Sequence, residues 1–367
     1  MAEIVARNPN VLLALPIPDI SPSQIEAFTL ESLLARITGK LGPLHAADIL
    51  QQNTGRELLV FDIGGTAMKS VIAKVSGDGK VIEDESQERV IESEEKGENY
   101  LAELKKTRHD YPNLYTAVST TGVVDGGSLV ACPNLGNFVE QLKKAGGFQT
   151  VLGGGDVPVM NDAQAGLIAG AVGVTLKNVR EEVSPMAKPV IYIINGGGIG
   201  GAVMDKDGIL WATEPGHVQL VSVLNPNEVS GSCGLNGRQY TCVEKIGASG
   251  AGIEKQWEKK FGQRLDGKLI AERMYHGDEY ALNLYNVAST ATAHIVAGMM
   301  SAMKIIPSEV SVVLHGGFFK TESVIERMKQ ILNQYYGQDI DLVSAKNLGF
   351  SNACIAGAAI AALISNK

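Results

Sequence analysis

Cysteine is scarce in this sequence. The four in 367 residues, Cys132, Cys233, Cys242 and Cys354, are scattered through the chain, unlike the disulfide framework of a small secreted domain, and they point to a reducing cytosol. No lysine- or arginine-rich block occurs, and 40 acidic residues against 32 basic ones leave a formal charge of −8. That balance argues against a nucleic-acid or anionic membrane surface as the main partner. The apolar run Val11-Leu12-Leu13-Ala14-Leu15, ended by Pro16, is too short to span a bilayer, follows a single Arg7 and lacks a clear cleavage site, so no targeting segment is expected. Aromatic residues make up only 5%, yet 45% of the chain is hydrophobic and 42 residues are glycine. A chain of this length builds two lobes with real cores and many tight turns, and small molecules are its expected partners.

What is abundant is glycine placed between strands. Leu58 to Phe61 run up to Asp62, Gly64-Gly65 reverse the backbone, and Val71, Ile72 and Val75 lead away, a strand, tight turn and strand. Glycines let backbone N–H groups approach an anion, Thr66 adds a hydroxyl, Asp62 suits Mg²⁺ directly or through water, and Lys69 reaches a phosphate or braces the turn. The same residues also fit an ordinary glycine hairpin with a solvated aspartate. The pattern recurs from Val190 through Asn195, Gly196, Gly197 and Gly198 to Met204, which suggests two related lobes facing each other across a nucleotide. Between the two turns, Asn161-Asp162 stands where a short strand (157–160) meets a small-residue helix, and for that pair alone an N-cap is the simpler explanation.

The rest alternates in α/β fashion. Residues 1 to about 55 read as a helical extension, with a segment opened at Ser21-Pro22-Ser23 and a second short helix over Ala46 to Gln52. Ser76 to Lys80 form a turn leading to a third antiparallel strand from Val81, and the acidic stretch Glu83 to Glu98 reads as solvated surface. A helix is expected over Asn99 to Arg108, a buried strand from Leu114, a helix from Ala281 to Ile306, a strand at Val310 to Leu314 before His315-Gly316-Gly317, and a helix around Ser323 to Tyr335. The last helix, Ala353 to Leu363, is apolar nearly all round and so expected to be buried. His217 and two cysteines in a glycine-rich loop are ingredients of a zinc site or simply two buried thiols.

Taken together, these motifs resemble the ROK family, the sugar kinases and sugar-responsive repressors of the actin-like ATPase superfamily, over about residues 57 to 365. Asp62 to Lys69 match its first phosphate motif, Asn161-Asp162-Ala163 its catalytic motif, and Gly196 to Gly201 its second phosphate loop. Glu214-Pro215-Gly216-His217 match its sugar motif, Cys242-Val243-Glu244 its Cys-x-Glu, and Gly316-Gly317 its adenosine loop. The resemblance implies a two-lobed actin-like (ribonuclease H-like) α/β fold with an interlobe cleft. Its expected division is a helical extension at 1–55, a small lobe at 56–160 with the C-terminal helix (351–367) packed back on it, and a large lobe at 161–350.

By the same resemblance the activity is ATP-dependent phosphorylation of a hexose or amino-hexose, usually at the 6-hydroxyl. Asp162 is the general base, and Asn134, Asn161, Glu214, His217 and Glu244 hold the sugar. Asp62, Gly64, Gly65, Thr66, Lys69, Gly196, Gly197, Gly198, Gly316 and Gly317 receive MgATP, with Asp62 on Mg²⁺ through water. A homodimer is the family-based expectation, in the cytoplasmic setting that the cysteine usage suggests. Two departures stand out. Gly231 occupies the place of the family's first zinc cysteine and Arg238 to Thr241 are inserted before Cys242, leaving at most His217, Cys233 and Cys242, so a full zinc site is not expected. Gly197 replaces a usual threonine, removing one hydroxyl donor. The rival readings are a sugar-responsive transcription regulator, for which the first 55 residues are short and neutral, and a non-catalytic sugar-binding protein.

Overall fold

Two five-stranded sheets organise the protein in the computed structural model, which describes residues 49–65, 67–92, 99–132, 135–154, 157–180, 188–206, 208–217 and 242–365. The strands in chain order are β1 (Glu57–Ile63), β2 (Ala67–Val75), β3 (Val81–Glu92), β4 (Tyr115–Thr120), β5 (Val123–Asp125), β6 (Ser128–Ala131), β7 (Val159–Asn161), β8 (Val190–Asn195), β9 (Ile199–Met204), β10 (Leu210–Thr213), β11 (Ser311–His315) and β12 (Asp341–Ser344). The first sheet has the order β3-β2-β1-β4-β7 and the second β10-β9-β8-β11-β12, while β5 and β6 form a separate hairpin. In each sheet the first three strands are an antiparallel meander and the last two are parallel to the first. One topology therefore occurs twice, and each glycine turn joins the first two strands of its sheet.

Side-chain alternation along the strands divides the interior into three cores. Leu59, Phe61 and Ile63 of β1 face the outer side of the first sheet, where α1 (Tyr100–Asp110), α2 (Phe138–Lys144) and α3 (Gly147–Val151) cover them. Leu58 and Val60 face the other way, into a central core that also takes Val190 and Tyr192 of β8 and Val313 of β11. Ile191 and Ile193 of β8 join the outer core of the second sheet, with α5 (Gly250–Phe261), α6 (Gly267–Tyr275), α7 (Glu279–Ala302) and α8 (Glu322–Tyr336).

The central core is filled by two helices, α4 (Asp162–Arg180) against β8 and β9, and α9 (Ala353–Ser365) against β1 and β4. Every residue of α9 from Ala353 to Leu363 is buried, as its unbroken apolar surface requires. The two helices cross so closely that a Cβ at Gly357 would overlap the Ala165 carbonyl, a contact only glycine permits.

The predicted N-terminal extension lies outside the described residues except for its end, where Ile49 to Gln52 are helical and Ile49 and Leu50 are buried in the central core. The acidic stretch is the main correction. A register shift between Ser70 and Ile72 leaves extra β3 residues out of the ladder. Two of its acids are not merely solvated: Glu88 reaches Lys69, and Glu83 bonds to Ser351 and Asn352.

Candidate active site

Asp62 ends β1 on the face of the central core, as the alternation of Leu58 and Val60 demands. In register beside it stand Lys69 of β2 and Ser119 of β4. The Ser119 hydroxyl donates to Asp62 Oδ1 at 2.9 Å, and the Asn352 side-chain amide donates to Oδ2 at 3.2 Å. Burial outweighs these two donors and the nearby Lys69 charge, so the Asp62 pKa lies above the ordinary carboxylate value. Lys69 is drawn to Glu88 at 2.9 Å, which raises its pKa and braces the strand pair. Asn352 has a second task, since its Oδ1 accepts the Cys354 N–H at 2.9 Å and the Ile355 N–H at 3.3 Å, capping α9. One side chain thus fastens the start of α9 to the end of β1.

Asp162 opens α4, yet the cap belongs to its neighbours. Asn161 Oδ1 accepts the Ala163 N–H at 2.9 Å and the Gln164 side chain accepts the Asn161 N–H at 3.2 Å, a reciprocal capping box. The other end of the Asn161 amide donates to Gly122 O at 2.8 Å. The Asp162 carboxylate accepts the same Ala163 N–H at 2.8 Å. Burial first, then repulsion from Asp62, raises its pKa to about 7, a value suited to exchanging protons near neutrality.

A third group gathers where the second sheet meets the chain on either side of residues 218–241. Glu244 Oε1 accepts the Ile199 N–H at 2.6 Å, seated between two glycines: a Cβ at Gly198 would come 2.8 Å from that oxygen and one at Gly216 2.5 Å from it. The ligand atoms of His217, Cys242 and Glu244 lie within 4.8 Å of one another. Cys233 falls outside the described residues. A closed structural zinc site takes four ligands, mostly thiolate and imidazole, and the described part offers one thiol, one imidazole and a carboxylate already engaged by Ile199. Glu214 keeps part of its surface open to solvent, but loss of hydration, with Asp162 and Glu244 adding repulsion, lifts its pKa to about 7. Behind Glu214 and Pro215 an apolar cavity of about 790 Å³ runs along α7, past Val287, Ile295 and Met299.

The sequence model of the ROK family matches residues 59–363. The chain belongs to the ROK family. No curated protein sequence matches it. Among solved structures it is similar to the ROK hexokinase from Thermus thermophilus, at 20% identity and a TM-score of 0.58 over 83% of this chain and 97% of that one. A ROK family glucokinase from Streptomyces griseus, in complex with glucose and AMPPNP, matches at 19% identity and a TM-score of 0.57, over 83% and 98%. A ROK family transcriptional regulator, a homologue of the E. coli MLC protein, matches at 18% and 0.55, over 85% and 80%. The fold is that of the ROK kinases, the actin-like ATPase fold.

Placed on this ROK fold, the glycine turns lie at the ends of β1 and β8, and Gly316-Gly317 follow β11 beside Asn195. Among the described residues, a Cβ at Gly196, Gly197 or Gly317 would meet nothing within 4 Å, so the backbone there is open. Thr66 and Asn134 lie outside the described residues. Sequence reasoning missed Ser119, Asn352 and Glu88. Only Asn352 carried a readable signal, an Asn immediately before an apolar helix.

Proposed function

We infer that this ROK protein is an ATP-dependent kinase of a hexose or amino-hexose, acting on the 6-hydroxyl, with Asp162 as general base. The observation that carries the reading is that Asn161 and Gln164 cap α4, so the Asp162 carboxylate, its pKa lifted to about 7, is not needed as a cap. A carboxylate held at a strand-to-helix junction by backbone N–H groups alone is placed to accept a hydroxyl proton.

Glu214, His217 and Glu244, with Asn161 and Asn134, form the sugar site. Glu244 spends one oxygen on Ile199 N–H and offers the other to a sugar hydroxyl, so its loop is held by a hydrogen bond where relatives with a full motif use zinc. Asp62, fixed by Ser119 and Asn352, would hold Mg²⁺ through water, and the backbone at Gly64, Gly65, Thr66, Gly196, Gly197, Gly198, Gly316 and Gly317 would cradle the nucleotide. Lys69, tied to Glu88, joins β2 to β3 beside it. Bound MgATP supplies the electrophilic phosphoryl group and the charge that neutralises it. Closing the lobes, divided near residues 160 and 161, excludes water as a competing acceptor. A cytoplasmic homodimer goes with this reading.

The ROK family also contains a transcriptional regulator, so a sugar-responsive regulator or a non-catalytic sugar binder is the alternative. The retained pair Asp62 and Asp162 favours the kinase. A coupled ADP-release assay over a panel of hexoses and amino-hexoses tests it: sugar-stimulated release is expected for at least one member, and sugar binding without release rejects catalysis.

A further inference from the structure

Tyr192 lies in the middle of β8 with 0% of its surface exposed, so its hydroxyl must find partners inside the protein. It has two. His315 Nδ1 is 2.5 Å away and Cys354 Sγ 3.6 Å, and the thiol and imidazole are themselves 3.8 Å apart. Burial lowers the His315 pKa to about 4 and raises those of the Tyr192 hydroxyl and the Cys354 thiol, so all three are uncharged at neutral pH. Either tautomer of the neutral ring joins the pair: a bare Nδ1 accepts the Tyr192 proton while the Tyr192 oxygen accepts from the thiol, or an Nδ1–H donates to the Tyr192 oxygen while the Tyr192 hydroxyl donates to the sulfur.

Each partner adjoins a different part of the site. His315 immediately precedes Gly316-Gly317, the turn expected to receive the nucleoside. Cys354 lies in the first turn of α9, and its N–H is held by the same Asn352 that grips Asp62. The Tyr192 ring itself fills the space beside Gly166, one turn along α4 from Asp162, where any side chain would strike it. One hydroxyl therefore joins the turn after β11, the start of α9 and, through its ring, the helix that carries Asp162.

We propose that Tyr192 is a positioning residue for the nucleotide: its hydroxyl fixes the His315 to Gly317 turn relative to Asp62, so that the nucleoside end and the phosphate end of one ligand are received at a set spacing. This rests on the kinase reading above. It assigns Tyr192 no contact with substrate.

Tyr192→Phe removes the hydroxyl and keeps the ring. With the full chain, calorimetric titration of MgATP is expected to show affinity about 5-fold weaker, the order of one net buried hydrogen bond. The KM for ATP rises by a similar factor, while the sugar KM and kcat at saturating ATP stay within about 2-fold. A purely structural role lowers the melting temperature without separating the two KM values. His315→Asn, which keeps an acceptor near the Nδ1 position, should lose less MgATP affinity than His315→Ala, and this pair decides the matter if Tyr192→Phe does not fold. MgATP affinity unchanged in Tyr192→Phe, or equal losses in the two His315 variants, overturns the inference while leaving the kinase reading intact. A wild-type chain that binds no MgATP removes both.

Discussion

Replacing Asp162 with Asn separates what this carboxylate costs the fold from what it contributes to chemistry. Its pKa rises from 3.8 to about 7, mainly through burial and secondly through Asp62. A folded-state value above the unfolded one means that the associated stability is complete below the unfolded pKa and is lost as pH climbs through about 7. At 1.36 kcal/mol per pH unit the full effect is roughly 4 kcal/mol. Asp162 keeps some solvent contact, and screening reduces this to about 2 kcal/mol. Asn retains an oxygen for the Ala163 N–H but never ionises. Denaturant unfolding of the ligand-free protein should therefore find Asp162→Asn more stable than wild type by about 2 kcal/mol at pH 8, with the gap closing toward pH 4. A variant that is less stable at pH 8, or a gap that does not change with pH, refutes the picture of a desolvated carboxylate held beside Asp62.

Asn352→Ala removes both the α9 cap and a donor to Asp62, so it should cost about 1 kcal/mol in unfolding experiments and weaken MgATP binding in calorimetry; unaltered binding would mean that Asp62 does not depend on Asn352. Elemental analysis of the purified protein should find well under one zinc per chain, because the described donors His217, Cys242 and Glu244 fall short of a closed tetrahedral set; one tightly held zinc would contradict this. The full chain should show no salt-sensitive binding to duplex DNA in a mobility-shift titration, given its net charge of −8 and lack of a basic block; sequence-specific retention would favour the regulator.

Much of the scaffold could be read from local pattern. The repeated strand, glycine turn and strand suggested two related lobes, and the two sheets do share one topology; the unbroken apolar surface of Ala353 to Leu363 foretold a buried helix. The helices Gly250–Phe261 and Gly267–Tyr275 went unread although Ser249 and Asp266 cap them, because their apolar residues are sparse and the caps alone are weak signals. Motif order pointed to Asp62, Asp162, Glu214 and Glu244 as site candidates. The side chains that hold them were not legible, because those contacts span long stretches of chain. Ser119 reaches Asp62 across 57 residues and Asn352 across 290, separations at which no sequence periodicity links the partners. Glu83 and Glu88 were hidden inside an acidic run whose charge suggested water, whereas Glu88 sits at the break in strand register beside Lys69 and Glu83 meets Asn352 from far along the chain.

The most direct test of the proposed chemistry is the turnover rate of Asp162→Asn on whichever sugar gives the fastest ADP release. Loss of a positioned base lowers kcat by about 10² to 10⁴, with the sugar and ATP KM values nearly constant, since the interaction removed matters mainly in the transition state. A folded Asp162→Asn enzyme that keeps wild-type kcat contradicts the assignment of Asp162 as the base.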